Sequence, residues 1–299
     1  MTVQVSVISG KGGTGKTTVT ASLAYLLNKA SYGQVVADCD VDASNLHLLM
    51  NPTVKETSPY YGLKTPVIDE SVCAGCGVCE PECRFNAIVI ENNVAHIKEE
   101  SCEGCAVCGY VCPIGAISFV DKAIGEVYIS DTAMCPMVHA SLEPGKGTTG
   151  KLVTMVRESA AKIAGKDDVI LIDGPPGIGC PVIASVAGVD IAVIVIEPTV
   201  SGINDFHRVL KVVRRFGVTP AVCINKYDIN RHYTECVEGY CEEAGIAVLG
   251  KIPYDREIFD CVCAGVIPAS GVNDDLKAYY RVVFDNLIKM IEERRNKTK

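Results

Sequence analysis

Residues 3–8 read VQVSVI, a β-branched run. Residues 9–17 read SGKGGTGKT, and 17–30 read TTVTASLAYLLNKA with Leu23, Leu26 and Leu27 at helical spacing. A strand, a glycine-rich turn and a helix in immediate succession constrain this chain more than any other feature. The turn fits G-x4-G-K-[ST] through Gly10, Gly15, Lys16 and Thr17. Glycines let backbone N–H groups curl toward an anion without Cβ clashes, and the start of the helix adds a positive field. The turn is therefore expected to cradle phosphates, with Gly12, Gly13, Thr14 and Thr18 completing it. Lys16 is expected at the β- and γ-phosphates and the Thr17 hydroxyl at Mg²⁺.

Such a βα unit needs a parallel sheet, and the later sequence supplies one. QVVAD (34–38), DVILIDG (168–174), IAVIVIEP (191–198), TPAVCIN (219–225) and IAVLGKIP (246–253) are near-continuous apolar runs, the pattern of strands buried on both faces. Helical segments fall between them, near 149–165, 181–188, 202–216 and 230–244. The repeated βαβ order predicts a doubly wound, mostly parallel α/β domain of P-loop type. A last helix over 274–296 repeats Leu276, Tyr280, Val283, Leu287 and Ile291. It is expected to pack on the sheet; a membrane-surface anchor is the alternative, and the mixed-sign polar face weakens it.

Residues 64–120 break this pattern. CAGCGVCEPEC (73–83) and CEGCAVCGYVC (102–112) each read C-x2-C-x2-C-x3-C, offset by 29 residues. Ala87-Ile88 repeats as Ala116-Ile117 at the same offset. The sequence therefore divides into 1–63 with 121–299, and an inserted module at 64–120. Sixteen cysteines in a chain without an export signal point to metal or redox chemistry rather than disulfides. Thiolates at this spacing wrap a [4Fe–4S] cube, whereas zinc ribbons need paired C-x2-C groups. The doubled motif resembles a bacterial two-cluster ferredoxin, a small α+β module in which the fourth cysteine of each run ligates the other cluster. The resemblance implies one cluster on Cys73, Cys76, Cys79 and Cys112, and another on Cys102, Cys105, Cys108 and Cys83. The ferredoxin pattern has proline after both fourth cysteines. Here Pro113 follows Cys112 but Arg84 follows Cys83, so the cluster near Arg84 is expected to be more exposed or differently tuned.

The turn at 9–17 carries a second lysine, Lys11. GKGGTGKT resembles the deviant Walker A motif of the MinD/ParA family, which includes the nitrogenase iron protein and Mrp-type cluster carriers. The resemblance covers roughly 1–50 and 145–270. It implies that Lys11 reaches the nucleotide of a partner subunit, and hence an ATP-dependent dimer of this chain or of paired paralogues. ADCDVDASNL (37–46) looks like the family's switch I, with Asp38 and Asp40 near Mg²⁺ and the attacking water; Lys11, Lys16 and Asp40 are the implied catalytic residues. Asp42 reads as a helix N-cap. DVILIDGPPGIG (168–179) looks like Walker B and switch II, with Asp173 serving Mg²⁺ and the Gly177 N–H sensing the γ-phosphate. INKYD (224–228) resembles the adenine-recognition segment, with Asn225 as base contact, and IPYD (252–255) a loop along the base that includes Pro253. ATPases of this superfamily with an inserted ferredoxin domain are a recognisable group, which the chain matches along its length.

Other cysteines have less context. Cys180 precedes Pro181 at an expected helix start and is read as a capping residue or a transient metal ligand. Cys261 and Cys263 form C-x-C, a packing pair or a metal site shared by two chains. Cys39 and Cys223 read as buried, and Cys135, Cys236 and Cys241 lack partners at ligand spacing. His139 and His207 stand alone.

The net charge is −8, without a run of basic residues, which argues against nucleic acid binding. No stretch of about 18 apolar residues suggests a membrane span. The start MTVQVSVISGKGG lacks a charged segment followed by an apolar block, so a cytoplasmic protein is expected. The expected function is an iron–sulfur ATPase that binds ATP and Mg²⁺ and carries two [4Fe–4S] clusters, acting in metallocluster or cofactor assembly on an unidentified client. ATP-gated electron transfer to a partner enzyme is the alternative. A positioning ATPase of the Min or Par kind is a third reading, disfavoured by the acidic charge and the mixed-sign last helix.

Overall fold

The computed structural model describes residues 1–143 and 149–297. In chain order they form β1 (Val3–Ser9), α1 (Lys16–Lys29), β2 (Gln34–Asp38), α2 (Leu46–Met50), β3 (Thr53–Tyr61), β4 (Thr65–Ile68), β5 (Ile88–Glu91), β6 (Val94–Ile97), α3 (Val107–Val111), β7 (Ile117–Val120), β8 (Ala123–Asp131), β9 (Pro136–Leu142), α4 (Thr149–Ile163), β10 (Val169–Pro176), α5 (Cys180–Val186), β11 (Ile191–Ile196), α6 (Val200–Arg215), β12 (Thr219–Asn225), α7 (Arg231–Glu243), β13 (Ala247–Ile252), α8 (Arg256–Cys263), α9 (Pro268–Gly271) and α10 (Asp274–Lys297). The chain divides into two compact units. One comprises Met1–Thr57, Val127–Ala140 and the chain from Thr149; the other comprises Ser58–Glu126 and the stretch from Ser141.

One nine-stranded sheet is ordered β13-β12-β11-β1-β10-β2-β9-β8-β3, and its strands from β13 to β2 lie wholly in the larger unit. From β13 to β9 every neighbouring pair is parallel. Val5 on β1 stands opposite Leu171 on β10 and Ile191 on β11. The central runs β1, β2, β10 and β11 are buried along nearly their whole length, because helices cover both faces of such a sheet, whereas β13 at the edge buries only Leu249 and Ile252. α1 buries Leu23 and Leu27, and α10 buries Leu276, Tyr280, Val283, Leu287 and Ile291, so α10 packs as a core helix. Among the described residues no helix is long and apolar enough to cross a membrane.

Three strands of this sheet have no clear sequence signal. Along β3 only Tyr60 is buried. In β8 the buried residues are Ile124, Val127 and Ser130, every third position rather than every second, so strand alternation is absent. β9 lies parallel to β2, with Val36 opposite Met137. Asp42 is not a helix cap: α2 starts later, with Asn45 at its N-cap.

The smaller unit is a pseudo-twofold structure. A shift of 29 residues carries β4 onto β6 and β5 onto β7. β4 pairs antiparallel with β7, and β5 with β6, so each two-stranded sheet takes one strand from each half. The backbone repeats too. Gly75 and Gly104 have φ of 60° and 65°, and Gly77 and Ala106 have 75° and 64°. Ala106 bears that left-handed conformation at a cost its glycine counterpart avoids. The core is thin: Cys79, Ile88, Ala95 and Ile117 are its buried members.

Candidate nucleotide site and cysteine groups

Gly15 is left-handed, with φ 90°, and ends the glycine turn at the first residue of α1. A Cβ there would run into the Asn225 side-chain amide. Asn225, at the end of β12, donates from Nδ2 to the Thr14 carbonyl at 2.7 Å and so braces the turn. Lys16 is almost fully buried at the head of α1, and its ammonium lies 3.9 Å from the Asp40 carboxylate. Thr17 donates to Asp173 Oδ2 at 2.7 Å, and Thr20 donates to Oδ1 of the same carboxylate at 2.9 Å. Asp173 pairs in register with Asp38 across β10 and β2. Ser44 donates to Asp38 Oδ2 at 2.6 Å.

Burial and mutual repulsion raise the proton affinity of these carboxylates. Burial first, then Asp173, pushes Asp38 up to about 8. Burial pushes Asp173 up to about 6 against the opposing Thr17 hydrogen bond and Lys16 charge. Burial also raises Asp40, with Lys16 opposing it. The buried carboxylates and the Thr17 hydroxyl are hard-oxygen donors short of positive charge, the chemistry Mg²⁺ takes, but the three carboxylates do not converge on one ion directly. The Thr14 hydroxyl is buried with no hydrogen-bond partner, a further polar group in the turn that a ligand would satisfy.

Two cavities adjoin the turn. One, of about 450 Å³, is lined by Gly12, Gly13, Lys16, Thr17, Thr18 and Asp40, with Pro176 and Leu48 at its rim. The other, of about 210 Å³, lies between Asn225 and Pro253, with Tyr254, Ile258, Phe259 and Tyr280 as apolar walls. The first bears Lys16 and Asp40; the second is mostly apolar and bordered by aromatic side chains, the surroundings a purine needs. The predicted residues Gly12, Gly13, Gly15 to Thr18, Asp40, Asn225 and Pro253 thus line adjoining space, whereas Gly10, Lys11 and Thr14 line neither cavity. Gly177 is left-handed, with φ 96°, but its N–H is engaged by the Ser9 carbonyl at 2.9 Å, so here it is not free to meet a phosphate.

Sequence reading missed Glu197 and Lys226. Glu197 follows β11 and receives the Lys11 ammonium at 2.9 Å and the Lys226 ammonium at 2.8 Å. Burial works to raise Glu197, but the hydrogen bonds of Lys226 and Lys11 outweigh it and hold the carboxyl below its ordinary value. Lys226 also donates to the Gly13 carbonyl at 3.3 Å. A carboxylate just past the C-terminal end of a parallel strand was the available signal, since ligands of α/β sheets bind there.

The eight repeat cysteines sort into two groups within the smaller unit. Cys73, Cys76, Cys79 and Cys112 line one apolar cavity with Ile90 and Ala95. Cys83, Cys102, Cys105 and Cys108 line a second with Pro66 and Ile97. Each run lends its fourth cysteine to the other group. Burial raises Cys79, and the Cys112, Cys73 and Cys76 thiols add to it. Burial likewise raises Cys108, with Cys102 and Cys105 adding. Burial would raise Cys112 as well, but backbone N–H groups from Ile114 to Ile117 prevail and lower it. The Cys83 and Cys112 sulfurs accept from the Ala87 and Ala116 N–H, both at 3.3 Å. Among the described residues no three His, Cys, Asp or Glu side chains stand close enough to hold a single metal ion.

Cys180 is exposed at the first position of α5, followed by Pro181. Cys261 and Cys263 lie two apart on α8, and side chains two apart on a helix do not share a face. Cys39, Cys135, Cys223 and Cys241 are buried. His139 meets the Ser130 hydroxyl at 2.9 Å, and His207 packs edge-on against Tyr240.

A profile of the family described as "CobQ/CobB/MinD/ParA nucleotide binding domain" matches residues 5–268. The "Uncharacterized protein MJ0578" of Methanocaldococcus jannaschii is 34% identical over 228 residues, covering 76% of this chain and 79% of that one. "Uncharacterized protein MJ0579" of the same organism is 27% identical over 264 residues, covering 87% and 89%. Among solved structures, the Pyrococcus furiosus cell division ATPase MinD aligns with a TM-score of 0.58 at 20% identity, over 97% of this chain and all of that one. The septum site-determining protein MinD of Pyrococcus horikoshii, complexed with Mg-ADP, gives the same score over 98% and 96% at 20% identity. At that identity the likeness is one of fold.

Proposed function

The chain belongs to the CobQ/CobB/MinD/ParA nucleotide-binding family, and from that premise we propose an ATPase that works as an ATP-dependent dimer and carries two [4Fe–4S] clusters on an inserted ferredoxin-like module. Its task is the assembly of a metallocluster or cofactor on a client protein. The observation that carries this reading is the sorting of the eight cysteines into two groups of four, with fourth cysteines exchanged, in a chain whose other unit assembles Lys16, Thr17, Asp38, Asp40 and Asp173 at a phosphate cradle.

At the nucleotide, Lys16 offsets the charge of the β- and γ-phosphates, and the turn's N–H groups receive their oxygens. Thr17 and the Asp38, Asp40 and Asp173 carboxylates, not all of them directly, would hold Mg²⁺, which supplies further charge neutralisation. Asp40, held beside Lys16, orients the attacking water. Asn225 and Pro253 bound the base. No protein nucleophile is needed, because phosphoryl transfer rests on positioning and charge stabilisation.

The cysteine groups fit cubane clusters on three grounds. Each offers four thiols around an apolar cavity, backbone N–H groups point at the Cys83 and Cys112 sulfurs, and each run lends its fourth cysteine to the other group as in a two-cluster ferredoxin. When bound, the clusters supply one-electron storage. One cysteine of each group, Cys76 and Cys105, is exposed, which favours a second reading, ATP-gated electron delivery to a partner enzyme.

An anaerobic redox titration followed by EPR, with ADP and then with a non-hydrolysable ATP analogue, separates the two. Nucleotide-dependent potentials or spectra support gated electron transfer. Unchanged signals, with cluster transfer to a client protein on ATP addition, support assembly. A protein that binds no nucleotide or carries no iron ends both readings.

A further inference from the structure

Lys11 is the residue through which the proposed dimer would be sensed, and it is already occupied. Its ammonium sits 2.9 Å from Glu197 Oε2 in its own chain. The Lys11 backbone is pinned, because the Ser9 hydroxyl donates to the Lys11 carbonyl at 2.6 Å. Only the side chain is free to move. It cannot hold Glu197 and also extend out of its own subunit.

We propose that Glu197 is a cis latch that parks Lys11 against its own subunit and sets the threshold for ATP-dependent dimerisation. The inference rests on the dimer reading above and adds a residue to it. Its physical basis is the second lysine. Glu197 is only 14% exposed, and an unpaired carboxylate there would be costly. Lys226 removes that cost: its ammonium stays 2.8 Å from Glu197 Oε1 and also bonds the Gly13 carbonyl, so Glu197 remains paired after Lys11 leaves. Lys11 can therefore be exchanged from an internal carboxylate to an external phosphate without leaving a bare charge behind. Lys226 bridges the latch to the phosphate turn, so turn, latch and base-side strand form one charged network.

A latch of this kind lowers the population of the dimer-competent form and weakens apparent self-association by the square of that factor, because both protomers must release Lys11. Removing it should do the opposite. Sedimentation velocity across a concentration series, with a non-hydrolysable ATP analogue or ADP, tests this on the full chain. Glu197→Gln keeps the shape and removes the charge; it should dimerise with the analogue at a concentration about tenfold lower than the unmodified protein. Lys226→Ala strips Glu197 of its second partner, tightens its hold on Lys11, and should shift dimerisation the other way. Lys11→Ala should abolish the difference made by Glu197→Gln. Thermal melts establish that each variant is folded. A Glu197→Gln protein that dimerises no better than the unmodified one, while the unmodified one does dimerise, overturns the latch alone. A Lys226→Ala protein that dimerises more readily also overturns it. Analogue-bound protein that stays monomeric in both the unmodified chain and Glu197→Gln overturns the dimer reading, and the latch with it. A monomeric unmodified chain beside a dimeric Glu197→Gln supports the latch.

Discussion

The two units of this chain are stabilised by different means. The nucleotide unit buries continuous runs of Val, Ile and Leu on both faces of a parallel sheet, and α1 and α10 add Leu27, Leu287 and Ile291 with no exposed area. The cysteine unit centres its apolar core on Cys79, Ile88, Ala95 and Ile117, and its strands β4 to β7 are four residues long. Hydrophobic burial alone suffices for the first. A domain with so little core needs staples, and among the described residues the second offers its eight repeat thiols. The contrast teaches that loss of metal and loss of nucleotide should damage different halves of the same molecule.

The largest effect that sharpens the contrast is on chemistry. Lys16→Ala should lower ATP hydrolysis by about 10³-fold, measured as phosphate release, while iron content stays as it was. Next, Cys79→Ser should cut bound iron from about eight to about four per chain, measured by elemental analysis. It should also open the stretch 58–126 to limited proteolysis, with nucleotide binding retained. An equal loss of nucleotide binding would break the comparison. Third, Leu27→Ala, at a fully buried position, should destabilise the nucleotide unit by about 2–5 kcal/mol in denaturant unfolding, while the iron-dependent spectrum is unchanged under native conditions.

The smallest effect is a pH dependence. Asp38 and Asp173 bind protons more tightly folded than unfolded, at about 8 and about 6. The folded state therefore holds more protons, and stability without Mg²⁺ should fall as pH rises from about 4 toward 8. Mg²⁺ with ADP should bind more tightly as pH rises through the same range, because it replaces those protons. Asp38→Asn should flatten the slope of melting temperature against pH; an unchanged slope would place its origin elsewhere.

Much of this was legible in the sequence, and for identifiable reasons. The phosphate turn announces itself because glycine spacing, strand and helix adjoin within thirty residues. The exchanged fourth cysteines followed from the ferredoxin resemblance, and the two cavities group the thiols in the same sets. Strands β3, β8 and β9 were not legible, since Tyr60 alone is buried in β3 and the buried positions of β8 come every third residue. The engaged N–H of Gly177 and the pairing of Glu197 with Lys11 depend on contacts across more than a hundred residues of chain, and the pairing of Glu197 with Lys226 spans 29 residues, separations that no local pattern encodes.

The most direct test of the account is a metal and sulfide count on anaerobically purified protein, with EPR after reduction. The account expects about eight irons and eight sulfides per chain, no stoichiometric zinc, and a reduced signal with the broadening of two interacting clusters. Stoichiometric zinc, or less than about one iron per chain after reconstitution with iron and sulfide, would contradict it and leave a nucleotide-binding protein with a structural thiol module.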